Sequence, residues 1–403
     1  MDFSIDDTIT ELTGLVRDMG EQLVTDDSLR ELDARFGPGT ESGGTDRDTA
    51  RFHARFWDEL VRAGVPAALA PERLGGAGLG VVGEALVLRE LGRVLAPVPL
   101  SPAIRAAHLL DTAGLSDRAA AVAEGREIAA IGDGELRPEI EVDWAPIADV
   151  IVAPLRFSGH PALWISDVAR ARAADTMHIE RTVPVDYSCA GIVSGLPMYL
   201  PLADKDPDVA PAPYEHSAGN SVISAPAAAL EFDALRRRVH LAAYQWGVIE
   251  AALERTAAYA TDRHQFGRPI GSFQAVAARL ADGMIDVDAV RLSTLRAAYE
   301  LDACNAEGAA RETIARETES REITAAARSA VASAHFWACD AGHRLAHSAV
   351  HIHGGVGLDR SEPAHRYFLA AKANEFRLGG ATRQLLDLGE VLATDGDPWE
   401  YSA

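Results

Sequence analysis

Cysteine is scarce in this chain: three residues among 403, Cys189, Cys304 and Cys339, odd in number and far apart. That pattern excludes a disulfide framework and points to a reducing compartment. Cations are in deficit too, with 38 Lys and Arg against 60 Asp and Glu, for a formal net charge of −22. A nucleic-acid partner needs clustered positive charge to neutralise its phosphates, so none is expected. A phosphorylated small ligand held by a few local arginines is not excluded. No uninterrupted run of about 18 apolar residues occurs, so no membrane span is expected. The start, MDFSIDDTITEL, is acidic and lacks the basic region and apolar core of a targeting peptide. A cytoplasmic location is the expectation. Internal repeats and a low-complexity tail are absent as well.

What is present is ordinary globular composition, 48% hydrophobic and 24% charged, in a chain long enough for two or three units of roughly 150 residues each. Residues 1–36 read as helix, with Ile9, Leu12, Leu15 and Val16 at helical spacing and acidic residues in the early turns. A loop rich in Gly, Ser, Thr and Asp follows over 36–48, then a helix through Phe52, Phe56, Leu60 and Val61 that ends at Gly64. The glycines at 75, 76, 78 and 80 do not form G-x-G-x-x-G and have no strand–turn–helix context, so they read as a helix–helix connection and not a phosphate loop. From about Gly125 short apolar runs alternate with turn residues (IAAIG, DVIVAP, ALWISDV, IERTVPV), the texture of a small sheet domain. Within it, residues 202–220 read as irregular.

Helical periodicity returns from Ala229. Ala242, Trp246, Ile249 and Leu253 define one buried face, and Ile285, Ala289, Leu292 and Tyr299 are expected to define another. Residues 308–328 read as one charge-mixed, solvated helix. Two more helices follow, enough for an antiparallel bundle.

The stretch at 259–284, YATDRHQFGRPIGSFQAVAARLADGM, joins two of these long helices. Arg263 and Gln265 are fork-shaped donors, Phe266 is a flat apolar plate, and Gly267 allows close backbone approach. Pro269 breaks the helix, and Ser272, Phe273 and Gln274 start the next. This stretch resembles the signature of the acyl-CoA dehydrogenase family, flavoproteins that desaturate acyl thioesters at Cα–Cβ. Two further blocks are similar to the same family: PERLGGAG with the helix carrying Glu84, Leu86, Leu88 and Leu91, and residues 349–376, AVHIHGGVGLDRSEPAHRYFLAAKANEF. The resemblance implies a mainly α protein with a small β domain. Its parts would be an N-terminal helical domain over 1–124, a shortened middle β domain over 125–227 and a C-terminal four-helix bundle over 228–403.

The resemblance also implies FAD as cofactor and an acyl-CoA as substrate. Arg263, Gln265, Phe266 and Gly267 would reach the pyrophosphate side of a neighbouring subunit's FAD. His351, where the family usually has Gln, would lie with Gly354 and Gly355 against its adenine and pyrophosphate. Three departures from the family pattern stand beside this. No T-E-P-x-x-G-S-D-like segment is found around 129–138. The two positions where the family places its catalytic Glu are occupied by Leu378 and Arg237, neither of which accepts a proton. Glu231, Asp233 and Glu375 lie near in sequence but out of helical register. Arg238 matches a family Arg at the substrate cleft; Arg236 and Arg237 read either as an anion-binding group or as a solvated basic turn at a helix start.

His343, His347 and His351 share one helix face at i, i+4, i+8, a spacing that zinc sites use. No Cys or carboxylate completes a recognised set, and satisfied structural histidines are expected instead, with no metal. The expectation is therefore a flavin-dependent acyl-CoA dehydrogenase subunit in a homo- or hetero-oligomer. Such a chain is similar to the subunits of hetero-oligomeric members acting on steroid side chains and other bulky acyl-CoAs, sharing an FAD site and lacking the usual Glu. The alternative is a non-redox, structural or regulatory protein of the same fold.

Overall fold

The computed structural model describes residues 5–36, 50–132, 138–157, 160–186, 188–195, 214–312 and 323–395. Among the described residues, seven α-helices precede the first strand: α1 Asp7–Leu23, α2 Asp26–Phe36, α3 Ala54–Arg62, α4 Val65–Ala68, α5 Gly80–Arg93, α6 Leu100–Thr112 and α7 Ser116–Ala123. Strands then dominate: β1 Ala129–Ile131, β2 Glu139–Asp143, β3 Val150–Phe157, β4 His160–Asp167, β5 His178–Thr182, β6 Ala190–Ser194, β7 Tyr214–Ser217 and β8 Asn220–Ser224, with the short helix α8 Val168–Ala173 after β4. The long helices α9 Ala227–Asp262, α10 Gln274–Glu312 and α11 Ala325–His353 follow, then α12 Ala364–Arg377 and α13 Ala381–Asp395. The protein is mainly α with a small β region. No helix among the described residues is long and apolar enough to cross a membrane. Cys189, Cys304 and Cys339 are free and buried.

The chain divides into two compact units. One comprises residues 31–79 and 97–234. Its strands form a five-stranded sheet in the order β1-β3-β4-β8-β7, parallel only between β1 and β3, and a three-stranded antiparallel sheet β2-β6-β5. Trp164, Ile151, Val142, Val193 and Met177 pack into a common core. Glycines 75 and 78 take φ of 89° and 66°, and a Cβ on Gly76 would lie 1.7 Å from the Ala70 carbonyl oxygen. These glycines are dictated by turn geometry and backbone packing. Asp233 is 2% exposed and clamped by Arg105 at 3.0 and 2.7 Å. Its carboxylate is engaged as a structural anchor, which removes it as a candidate base.

The other unit comprises residues 1–30, 80–96 and 235–403 and holds the helical bundle. Ala242, Trp246 and Ile249 of α9 are buried, as their spacing requires. Gln245, fully buried, donates to the Ala371 carbonyl at 3.2 Å and accepts from Asn374 at 3.0 Å, tying α9 to α12. Asp302 of α10 accepts from the backbone N–H groups of Val81 and Val82 at 2.7 and 3.1 Å, capping the start of α5.

Several expectations need correction. The helix over 1–36 is two, because Val24 closes α1 and Thr25 accepts from the Ser28 N–H at 3.2 Å to start α2. Residues 214–217, read as irregular, form β7 because they pair with β8, a partner local composition does not reveal. The 308–328 helix is the end of α10 and the start of α11, with Thr324 capping Ala327; residues 313–322 lie outside the described set. The loop expected over 36–48 does so almost entirely. On α10 the buried face is Val287, Val290, Ala297, Ala298 and Leu301, whereas Ile285, Leu292 and Tyr299 are 67%, 57% and 39% exposed. Both faces are apolar at helical spacing, so periodicity alone selects the wrong one.

Candidate functional site

The turn between α9 and α10 is a two-residue hairpin. His264–Gln265 pairs antiparallel with Arg268–Pro269, and Phe266 and Gly267 at its tip take φ of 53° and 80°. Adjacent residues with positive φ are what a tight hairpin turn demands; Gly267 adopts this freely and Phe266 does so under strain. The Ile270 N–H donates to the Arg263 carbonyl at 2.8 Å and closes the base. Every residue from Arg263 to Arg268 is exposed, and Phe266 is 93% exposed. Its ring meets Phe273 edge-on at 6.2 Å, and the Arg268 guanidinium lies over the Phe273 ring at 4.1 Å. A strained aromatic held in solvent is an arrangement that makes physical sense when something covers it.

The second block lies at the foot of this hairpin. Tyr259, in the last turn of α9, stacks on His353 at the end of α11, with ring centroids 4.2 Å apart and planes 17° off parallel. Burial holds His353 below its ordinary range, so the stacked ring is neutral near neutral pH. Gly354 follows with φ of 65°, and a 3₁₀ turn runs over Gly354–Leu358. His351, Gly354 and Gly355 are exposed, and a Cβ on either glycine would meet nothing within 4 Å. The structure thus brings the hairpin and the Gly354–Gly355 turn together through one stacked pair. Neither residue of that pair stands out in the sequence, because 94 positions separate them.

On the histidine face of α11, His343 and His347 contact side chains of α12. His343 Nδ1 lies 3.2 Å from Glu375 and 3.0 Å from Lys372 Nζ, and Lys372 pairs with Glu375 at 2.5 Å. Burial works to raise the Glu375 carboxyl, but its bonds with Lys372 and His343 hold it below the ordinary range. It is an ion-pair partner, not a base poised to take a proton. His347 meets Phe368 edge-on at 5.2 Å. Together with Arg279, Asp282 and Ser348, His343 and His347 border an open cleft of about 480 Å³.

Leu378 is 2% exposed and terminates α12, its carbonyl accepting from Gln384 at 2.7 Å. The triple arginine lies well inside α9 and not at its start, and it is not a solvated turn. Arg236 is 5% exposed with its Nε 3.3 Å from Glu84, and Glu84 also meets His240 Nε2 at 2.8 Å. Arg237 is half-buried, and Arg238 pairs with Asp387 of α13 at 3.3 Å. The Glu84–Arg236–His240 cluster joins helices far apart in sequence, and no local motif announces it.

Comparison with known proteins places this geometry. The acyl-CoA dehydrogenase C-terminal domain model matches residues 229–393, and the acyl-CoA dehydrogenase N-terminal domain model matches residues 41–115. The chain is 34% identical over 427 residues to acyl-CoA dehydrogenase FadE27 of Mycobacterium tuberculosis, covering 98% of this chain and 99% of that one. It is 30% identical to a chain of the ChsE4-ChsE5 complex from Mycobacterium tuberculosis, with a TM-score of 0.77 and coverage of 98% and 99%. A variant of the Tcur3481-Tcur3483 steroid ACAD is similar at 27% identity and a TM-score of 0.73, with coverage of 97% and 99%.

Proposed function

The chain belongs to the acyl-CoA dehydrogenase family, and on that premise we propose that it is one subunit of an FAD-dependent acyl-CoA dehydrogenase, sharing its flavin site with a homologous partner. The observation that carries this reading is the hairpin. Arg263 and Gln265 make no side-chain hydrogen bond to the described residues of their own chain, and Phe266 projects into solvent. Guanidinium and amide donors beside an exposed aromatic suit a pyrophosphate that arrives from outside, and backbone approach at Gly267, Gly354 and Gly355 is unobstructed. His351, exposed in the last turn of α11, offers a further hydrogen bond.

FAD held beside Arg263, Gln265 and the Gly354–Gly355 turn would supply the hydride acceptor for Cβ of the acyl thioester. The α-proton must go to a base, and this chain offers none at the two family positions. Leu378 is apolar and buried, and Arg237 is a cation. Asp233 and Glu375 are held in ion pairs. The base is accordingly supplied by the partner, with Arg238 of this chain facing the substrate cleft. The division over 1–124, 125–227 and 228–403 fits that role, the last segment carrying the hairpin and the glycine turn. Two of the similar structures, the ChsE4-ChsE5 complex and the Tcur3481-Tcur3483 steroid ACAD, pair two different components, which favours a hetero-oligomer and a bulky acyl group.

The test is Arg263→Ala in the complex of this chain with its homologous subunit. Flavin retained through gel filtration falls several-fold while the complex keeps its mass. Unchanged retention removes the hairpin from the flavin site.

A further inference from the structure

Lysine is nearly absent from this chain: of its 38 Lys and Arg residues, only Lys205 and Lys372 are lysines. Lys372, on α12, is the one lysine among the described residues. It stands in a closed triangle of side chains. Its Nζ lies 2.5 Å from Glu375 Oε2 and 3.0 Å from His343 Nδ1, and His343 Nδ1 lies 3.2 Å from Glu375 Oε2. As a partner for Glu375 alone an arginine would serve as well, its planar fork being matched to a carboxylate. The chain makes that choice almost everywhere else. What lysine adds is an amine that can shed its proton and act as a nucleophile, which a guanidinium does not do.

The triangle supplies what such a nucleophile needs. His343 Nδ1 accepts from Nζ when it carries no hydrogen and donates to Glu375 when it does. One nitrogen faces both partners, so a proton taken from Nζ lands where Glu375 stabilises the resulting imidazolium. Amine, base and carboxylate at hydrogen-bond distance are the arrangement of an activated nucleophile. The His347 ring lies 4.5 Å from that of His343; burial, His343 and Lys372 hold it below its ordinary range, so it brings no positive charge near neutral pH. The triangle is reachable. His343 is exposed and borders the cleft of about 480 Å³ with Arg279 and Ser348, and the Lys372 side chain is 18% exposed. The Phe376 ring, itself exposed, lies 5.6 Å from Nζ and offers apolar surface to an acyl group. We propose that Lys372 is an N-acylation site that takes the acyl group of an acyl-CoA thioester, with His343 as base. Nζ gives one proton to solvent through His343, and the neutral amine attacks the thioester carbonyl carbon. The N–C bond forms, the C–S bond breaks, and the second proton leaves on the CoA thiol. The product is a stable amide, so the step occurs once per chain and acts as a switch of charge. It removes the cation beside Glu375 and opens the triangle. The proposal does not rest on the flavin reading, because neither the hairpin nor the Gly354 turn takes part.

The experiment incubates the full chain, without partner or flavin, with acetyl-CoA at mildly alkaline pH and maps acetylated lysines by mass spectrometry over time. Lys372 acquires the acetyl group about tenfold faster than Lys205, the chain's own internal comparison. His343→Gln keeps a hydrogen-bonding group beside Nζ but takes no proton. It lowers the Lys372 rate about tenfold, with the Lys205 rate and the circular dichroism unchanged. In Lys372→Arg, which keeps a cation beside Glu375, acetylation of lysine falls to what Lys205 alone accepts. Equal rates at the two lysines, or a Lys372 rate that His343→Gln leaves unaltered, would show a static ion pair and overturn the proposal.

Discussion

Tyr259 and His353 stack at 4.2 Å, and the Tyr259 hydroxyl lies 3.5 Å from the His353 carbonyl oxygen. That pair joins the last turn of α9, which carries the hairpin, to the end of α11, which carries the Gly354 turn. Replacing Tyr259 with Ala releases both ends at once. We expect a loss of about 1–2 kcal/mol in unfolding free energy, and flavin retention in the complex to fall as it does for Arg263→Ala. Tyr259→Phe, which keeps the stack, should retain both properties. The checks are chemical denaturation and the flavin-to-protein absorbance ratio.

The hairpin tip separates stability from function in a way that can be measured. Phe266 buries almost nothing within its own chain and sits at a φ that an aromatic residue resists. Phe266→Asn should leave the melting temperature unchanged or slightly raised, because Asn tolerates the left-handed region. Flavin retention should fall. A clear drop in melting temperature would mean that Phe266 supports its own bundle.

On the proposed function, Leu378 stands where the family places a catalytic Glu, and its surroundings are closed to a carboxylate. Leu378 is 2% exposed, and its carbonyl is held by Gln384, whose amide oxygen in turn lies 2.8 Å from His335 Nδ1. Leu378→Glu should destabilise the chain by about 2–4 kcal/mol, the cost of a carboxyl in an apolar site. The titration of the introduced carboxyl, followed by stability against pH, should lie above the usual Glu range. A Leu378→Glu protein of unchanged stability, with its new carboxyl freely ionised, would show that the site is more open than its burial indicates.

Two buried groups give the stability opposite slopes with pH. Burial pushes His335 down to about 3, with a bond to Gln384 opposing the shift. Its unfolded form takes up a proton near pH 6.5, so stability from this residue is present above 6.5 and is lost as pH falls toward 3. Between pH 7 and 5 that loss is about 2 kcal/mol. Burial pushes Asp302 up to about 6, while its bonds to Val81 and Val82 pull the other way. The native state therefore holds that proton more tightly, and the stability it contributes is present below pH 3.8 and lost as pH rises through 6. Between pH 4 and 6 the two slopes oppose each other. In His335→Gln, stability across this window should fall as pH rises; in Asp302→Asn it should rise. Urea denaturation at pH 4, 5 and 6 distinguishes the signs, and identical slopes in all three proteins would contradict both assignments.

Local pattern carries most of the fold and part of the site. The helices at α3, α9 and α11 and the strands at β1, β3, β4 and β5 are legible because apolar spacing and turn residues lie within a few positions of one another. The hairpin is legible as a helix break at Pro269, and Arg263, Gln265 and Phe266 as a functional group only through resemblance. What escapes are relationships decided across the chain. The stripe at Ile285, Leu292 and Tyr299 reads as core, because α10 is apolar on two faces and only the packing of its neighbours decides which one is covered. Arg236 reads as a surface group because its partner, Glu84, is 152 positions away. The engagement of Asp233 by Arg105 is hidden for the same reason. Residues near 129–138, where the family pattern would put a flavin-holding segment, fall partly outside the described residues.

The central claim is that this chain extends its hairpin to a flavin held mainly by a partner. The most direct measurement is the visible absorption spectrum of the full chain, purified alone in the presence of added FAD and then mixed with its homologous subunit. The account predicts well under one flavin per chain alone, recovery of bound flavin in the complex, and bleaching of that flavin by acyl-CoA only in the complex. One flavin per chain in the lone protein, bleached by acyl-CoA without a partner, would contradict it.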